Sequence, residues 1–166
     1  MSTNNTFEFD IAVIGLGYVG LPLIITAAKA KMNCLGIDIN TQTVASLNKG
    51  SSHIERVSNN DLSDFNDKLT FVDSYDLIES VETIVLCVPT PLRNGEPYTE
   101  FIESALDEIS SKIKKDQTII LESTTYPAHT FSLAQEIEEK TGFKIGQDFY
   151  FCFSPEREDP GNQSWD

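Results

Sequence analysis

Three glycines, a carboxylate and several hydroxyls stand in this sequence where a ligand could be held. Gly15-Leu16-Gly17-Tyr18-Val19-Gly20 follows an apolar run and opens a helical one. In such a G-x-G-x-x-G the first glycine permits a tight turn and the second lets the backbone approach a pyrophosphate. The third lets helix and strand pack closely. The pyrophosphate then rests on N–H groups at the positive end of the helix dipole. Pro22 falls in the first helical turn, where its missing N–H costs little. Asp38 ends the next apolar run, 18 residues beyond Gly20, close to the roughly 20 expected of an acid that accepts hydrogen bonds from a ribose. A carboxylate there repels the additional phosphate of NADP, so NAD is the expected cofactor. The competing use of Asp38 is to cap a helix that begins near Thr41.

Further unusual residues follow the later apolar runs. Val88-Pro89-Thr90-Pro91-Leu92 has a backbone fixed by two prolines and a hydroxyl beside the expected crevice; a plain rigid turn explains it equally well. Glu122-Ser123-Thr124-Thr125-Tyr126-Pro127 is rich in hydroxyls and leads into a helix, for which helix capping is the plainer use. In Ser154-Pro155-Glu156-Arg157, Glu156 is either a general base or a solvated loop acid.

Alternating β-rich and helical runs must position these residues. Apolar runs cover 9–14, 34–38, 69–72, 83–88, 118–121 and 149–153. Helical patterns run to about Lys31, from Thr41 to Asn48, from Thr99 to Ile113 and from Ala128 to Lys140. Strands without polar alternation, separated by helices, indicate a parallel sheet covered on both faces. The expected fold is a doubly wound α/β domain of the Rossmann type, with about six strands and right-handed crossovers. The domain spans 9–166, and a polar tail over 1–8 is expected to be disordered. Residues 50–68 are the least regular, compatible with a short helix or a loop.

Composition narrows the function classes. The 166 residues carry a net charge of −14, from 26 acids against 12 bases. Such a chain repels a phosphate backbone, which argues against nucleic acid as a partner. No run approaches the roughly 18 to 20 apolar residues of a membrane helix, and no secretion signal is present, so a cytoplasmic location is expected. Cys34, Cys87 and Cys152 read as buried free thiols. With His53 and His129 the only histidines, no metal site is expected.

Taken in order, Gly15 to Pro22, Val88 to Leu92, Glu122 to Pro127 and Ser154 to Gly161 resemble the UDP-glucose/GDP-mannose dehydrogenase family, from about Phe9 to the last residue. The Ser154 to Gly161 stretch is most similar to the branch acting on UDP-N-acetylhexosamines. The resemblance implies an NAD-dependent oxidation of the sugar 6-hydroxyl, through an aldehyde, to a carboxylate, with UDP-N-acetylglucosamine as the expected substrate. The product would serve surface-polysaccharide biosynthesis. It further implies that Gly15, Leu16, Gly17, Tyr18, Val19, Gly20, Asp38, Val88, Pro89, Thr90 and Thr124 bind the cofactor. Thr124 would help position a water, Glu156 would assist base chemistry, and Glu156 and Arg157 would reach substrate.

The sequence also departs from the family's pattern. Tyr98 stands where the family has an acid, leaving Thr99 to cap the following helix. Ala128 stands where it has glycine, which is expected to crowd the crevice slightly. The family's nucleophilic cysteine, its lysine, its central dimer-forming helix and its UDP-binding half all follow the matched region. The chain alone is therefore expected to bind NAD without turnover, and a dimer is expected only of the full-length protein. A stand-alone or degenerate NAD-binding module without catalysis is the alternative. A dehydrogenase of hydroxy acids or acyl thioesters fits the loops after the fifth and sixth runs poorly.

Overall fold

A computed structural model describes residues 7–155. Six strands form one parallel sheet: β1 (Phe9–Ile14), β2 (Cys34–Ile37), β3 (Leu69–Val72), β4 (Val81–Leu86), β7 (Thr118–Leu121) and β8 (Tyr150–Phe153). Their order across the sheet is β3-β2-β1-β4-β7-β8. Chain order therefore reverses between β1 and β4, which pair from Phe9↔Val81 to Ile14↔Leu86. A crevice opens at the carboxyl ends of such a pair. The expected Rossmann-type fold is the one observed.

The lack of polar alternation has a direct cause. Ala12 and Ile14 of β1 face one layer, with Ile102 and Ile109 of α4 (Glu100–Ser110) and Leu133 and Ile137 of α5 (His129–Thr141). Ile11 and Val13 face the other, with Leu21 and Ile24 of α1 (Gly20–Lys29) and Val44 and Leu47 of α2 (Thr41–Asn48). Both faces of the central strands are covered over their carboxyl-terminal halves, so Ile11–Ile14 of β1 and Ile84–Leu86 of β4 are apolar on both sides. Asp10 and Glu82 fall near the strand starts. At the start of β7, buried Gln117 donates from Nε2 to the carbonyls of Ile78 and Val81 at 2.8 and 2.6 Å. Its Oε1 accepts from Lys114 N at 2.7 Å. A fully satisfied buried amide of this kind pins adjacent strands to one another.

Several boundaries differ from expectation. The irregular region contains α3 (Asn59–Asp64), held by a capping box in which Ser58 and Asp61 satisfy each other's backbone N–H. Between β4 and α4 lies a two-stranded hairpin, β5 (Leu92–Arg93) with β6 (Glu96–Pro97). Asn94 and Gly95 turn it with φ of 54° and 83°, as a tight hairpin requires. Thr99 does not cap α4; its hydroxyl donates to Glu103 Oε1 at 2.8 Å. Strand β4 ends at Leu86, which moves Cys87 and Val88 out of the sheet and into the crevice loop.

Of the three thiols, only Cys34 is buried; Cys87 is half-buried and Cys152 exposed. Cys152 lies on β8, at the outer edge of the sheet, where Tyr150 and Phe153 are each 47% exposed. An apolar run predicts burial only where a second layer covers it. Of the expected tail, residues 1–6 lie outside the described residues, while Glu8 N–H donates to Ser80 O at 2.9 Å. No described helix is long and apolar enough to cross a membrane. No group of metal-binding side chains occurs among the described residues.

Candidate functional site: a two-chambered crevice

The glycine loop is built against both neighbouring strands. Gly15 N–H donates to Ile37 O at the end of β2, and Cys87 N–H, just past β4, donates to Ile14 O, both at 2.8 Å. Gly15 has φ of +92°, and a Cβ there would lie 2.6 Å from Cys87 O. A Cβ on Gly20 would lie 1.9 Å from Gly15 O. Two of the three glycines are thus imposed by the protein's own backbone. Gly17 differs: a Cβ would meet nothing within 4 Å. The loop is open there, so the backbone can approach a ligand closely. Helix α1 begins immediately beyond, with no side-chain cap and no acid in its first turn, leaving its positive end to an anion.

Asp38 does not cap α2. That role falls to Asn40, whose side chain accepts from Gln42 N and Thr43 N at 3.0 and 3.3 Å. Asp38 instead accepts from Leu16 N with Oδ2 and from Asn40 N with Oδ1, each at 2.9 Å. Its carboxylate ties the glycine loop to the end of β2.

Two cavities meet at this loop. The larger, about 770 Å3, is lined by Gly15, Gly17 and Asp38 on one wall and by Tyr75, Phe101 and Glu108 on the other. The smaller, about 290 Å3, is lined by Gly17, Tyr18, Val19, Thr90, Glu122 and Thr124, among others. Gly17, Cys87, Val88 and Pro89 belong to both. The geometry therefore suits an elongated ligand that passes over Gly17, with one end at Asp38 and the other between Thr90 and Thr124. Asp73 and Asp76 also line the larger cavity; its one lysine, Lys112, is paired with Asp76 at 2.8 Å. Burial, then the charges of Glu108 and Asp38, push the Tyr75 phenol above its ordinary value. An additional phosphate would be unwelcome at this end. The residues present fit a dinucleotide carrying a bare ribose.

Nearly all the expected cofactor residues line these chambers. Leu16 and Gly20 do not: Leu16 is fully buried and acts through its N–H, and Gly20 makes room for the turn. Glu156 and Arg157 lie outside the described residues. Glu122 and Cys87 were not expected at the site. Their position immediately after a strand was the available signal, obscured in one case by the hydroxyls that follow and in the other by the apolar run that precedes.

Following Thr124 in the chain, a set of polar side chains runs from half-buried Thr125 through buried His129 to exposed Glu103. The Thr125 hydroxyl bonds His129 Nδ1, and His129 Nε2 faces Glu103 Oε1 at 3.7 Å. Tyr126 stacks on the imidazole, 4.3 Å between ring centres. Burial lowers the His129 pKa below its ordinary value, against the opposing charges of Glu103 and Glu136. Ala128 precedes His129 with φ of +70°. Ala128 lines neither chamber, so the expected crowding is not seen there, and an alanine in this left-handed conformation carries backbone strain.

Comparison with known proteins agrees with this geometry. Residues 9–166 match the family described as UDP-glucose/GDP-mannose dehydrogenase family, NAD binding domain. The chain is 33% identical over 154 residues to a UDP-N-acetyl-D-mannosamine dehydrogenase of Pyrococcus horikoshii, covering 91% of this chain and 37% of that protein. It is 32% identical over 158 residues to a UDP-N-acetyl-D-glucosamine 6-dehydrogenase of Pseudomonas aeruginosa, covering 94% and 37% respectively. The solved structure of the Pyrococcus dehydrogenase superposes with a TM-score of 0.85, over 92% of this chain and 37% of that one. The chain thus spans little more than a third of the length of these relatives.

Proposed function

The chain belongs to the UDP-glucose/GDP-mannose dehydrogenase family, and on that premise we propose that its parent protein oxidises the 6-hydroxyl of a UDP-N-acetylhexosamine to the carboxylate, with UDP-N-acetylglucosamine as substrate. The matched region is the family's NAD-binding domain. The uronate would enter surface-polysaccharide synthesis from the cytoplasm. Overall, one primary alcohol, one water and two NAD+ yield one carboxylate, two NADH and three protons.

The observation that carries this reading is the pair of chambers joined over Gly17, acidic at the Asp38 end and hydroxyl-lined at the Thr124 end. When bound, the nicotinamide supplies the hydride acceptor. The chain's own residues have other work. Asp38 holds a ribose, and the open loop at Gly17 admits the pyrophosphate, flanked by Gly15, Leu16, Tyr18, Val19 and Gly20. Val88, Pro89 and Thr90 lie against the cofactor, and Thr124 holds a water for the second oxidation. Glu156 assists removal of protons, and Arg157 reaches substrate. The sugar-binding half would come from the remainder of the parent protein, so this chain alone binds NAD and turns nothing over.

Two measurements test the reading. A fluorescence titration of the 166-residue chain with NADH and NADPH is expected to give saturable binding that favours NADH; preference for NADPH would overturn the role of Asp38. The parent protein, assayed by NADH formation with the gluco, manno and galacto forms of the UDP-N-acetylhexosamine, is expected to prefer the gluco form. A preference for another epimer would correct the substrate, and NADH formation by the isolated chain would refute its inactivity.

A further inference from the structure

We propose that Glu122 orients the nicotinamide end of the cofactor and favours its oxidised, cationic ring; this inference rests on NAD being the ligand of the two chambers. Strands β4 and β7 pair in register up to Leu86↔Leu121. The next residues, Cys87 and Glu122, therefore leave the sheet side by side at its carboxyl end. Cys87 Sγ donates to Glu122 Oε2 at 3.2 Å, and Glu122 N–H donates to Leu86 O at 3.1 Å. Backbone and carboxylate are both held, and the side chain sits half-buried in the wall of the smaller chamber. Among the described residues lining that chamber, no other is an acid and none is a lysine or arginine.

A dinucleotide with one ribose at Asp38 and its pyrophosphate over Gly17 carries its second nucleoside above β4 and β7. That nucleoside offers two features that a carboxylate favours. Its carboxamide NH2 is a donor, and an ionised carboxylate only accepts, with capacity beyond the single bond taken by Cys87. Its oxidised ring bears a positive charge that reduction removes, so a fixed negative charge alongside holds the oxidised form more tightly. A pair of unit charges about 6 Å apart corresponds to about a threefold effect on binding even in bulk water, and more where water is partly excluded. The hydroxyls of Thr90 and Thr124 on the same wall donate or accept equally and do not sense that charge.

The test compares NADH, by fluorescence, with NAD+ and ADP-ribose, by displacement of NADH, on wild-type and Glu122→Gln chains. In E122Q the ratio Kd(NAD+)/Kd(NADH) is expected to rise by about threefold or more, with ADP-ribose affinity unchanged. Glu122→Asp, which keeps the charge, is expected to retain most of the wild-type ratio. An unchanged ratio in an E122Q chain that still binds ADP-ribose would overturn the proposal and leave Glu122 as a partner of Cys87 alone. Should E122Q fail to fold, the wild-type chain carries the test through the analogue whose carboxamide is replaced by a carboxylate. Glu122 repels that group, so the analogue should bind about tenfold more weakly than NAD+; equal affinity would also overturn the proposal. Wild-type protein that binds neither ADP-ribose nor NADH would instead refute the NAD reading itself, and with it the role of Glu122.

Discussion

The Asp38 carboxylate, which lines the larger chamber, and the Leu16 N–H, 22 residues apart in sequence, meet at 2.9 Å. One carboxylate thus joins the glycine loop to the second strand while its remaining lone pairs face the cavity. Asp38→Ala removes both the clamp and the ribose acceptor. Charged hydrogen bonds of this kind contribute about 1.5–3 kcal/mol each, so NADH affinity should fall by about tenfold or more. NADPH should lose less, because a repulsive charge disappears with the acceptor. Parallel titrations of the two nucleotides check this, and an equal loss for both would count against Asp38 as the discriminating residue.

The three motif glycines should separate cleanly on substitution. Gly20→Ala forces a Cβ to 1.9 Å from Gly15 O, and Gly15→Ala combines a 2.6 Å contact with φ of +92°. Both should destabilise the fold by about 2 kcal/mol or more. Gly17→Ala meets no protein atom within 4 Å, so stability should stay within about 0.5 kcal/mol of wild type. NADH affinity should nevertheless fall by about tenfold, because the methyl occupies the pyrophosphate's approach. Urea denaturation beside NADH titration distinguishes the two kinds of glycine.

Ala128→Gly should stabilise the chain. An alanine at φ of +70° carries about 1–2 kcal/mol of left-handed strain. The greater freedom of glycine in the unfolded chain offsets about 0.4–1 kcal/mol of this. A net gain of about 0.5–1 kcal/mol, and a Tm rise of roughly 1–4 °C, is expected by calorimetry.

His129 should make stability depend on mild acid. Its pKa is lowered by burial, against the charges of Glu103 and Glu136. Below the ordinary histidine value the unfolded chain takes up a proton that the folded chain declines, so this contribution is present above about pH 6.5 and lost as pH falls beneath it. Between about pH 7 and 5, the wild-type Tm should drop more steeply than that of His129→Gln. Parallel pH profiles would refute the assignment.

The thiols should react in the order of their exposure. Burial, then the charge of Asp10, pushes the Cys34 pKa up to about 11, so little nucleophilic thiolate forms near neutrality. Alkylation followed by peptide mapping should find Cys152 modified first and Cys34 last. Cys87, which lines both chambers, should be slowed by bound NADH.

Much of this was legible in the residues. The largely apolar runs at 9–14 and 83–88 announced strands covered on both sides, and the alternation with helices led to a doubly wound sheet. The glycine spacing and Asp38 located the crevice. Other features left weaker traces. Two-residue strands such as Leu92–Arg93 are too short to show a period. Alanine carries no local signal for left-handed backbone, so the conformation at Ala128 emerges only from the tertiary fold. Ser58-x-x-Asp61 was a readable capping box within a polar stretch that resembled a loop. Glu122 was hidden by chemistry of a different kind, the run of hydroxyls beside it.

The ties between Gly15 and Ile37, and between Cys87 and Ile14, bear on the kinetics of the site. The turn is an extension of the two central strands, so opening it requires breaking bonds that belong to the sheet's most protected region. The bonded amides of Gly15 and Cys87 should exchange with solvent deuterium as slowly as those of β1, and faster exchange is expected at Gly17, where the loop is open. A ligand arriving there finds a rigid platform, and its association rate should reflect diffusion and electrostatic repulsion by an acidic protein, with no preceding loop rearrangement to slow it.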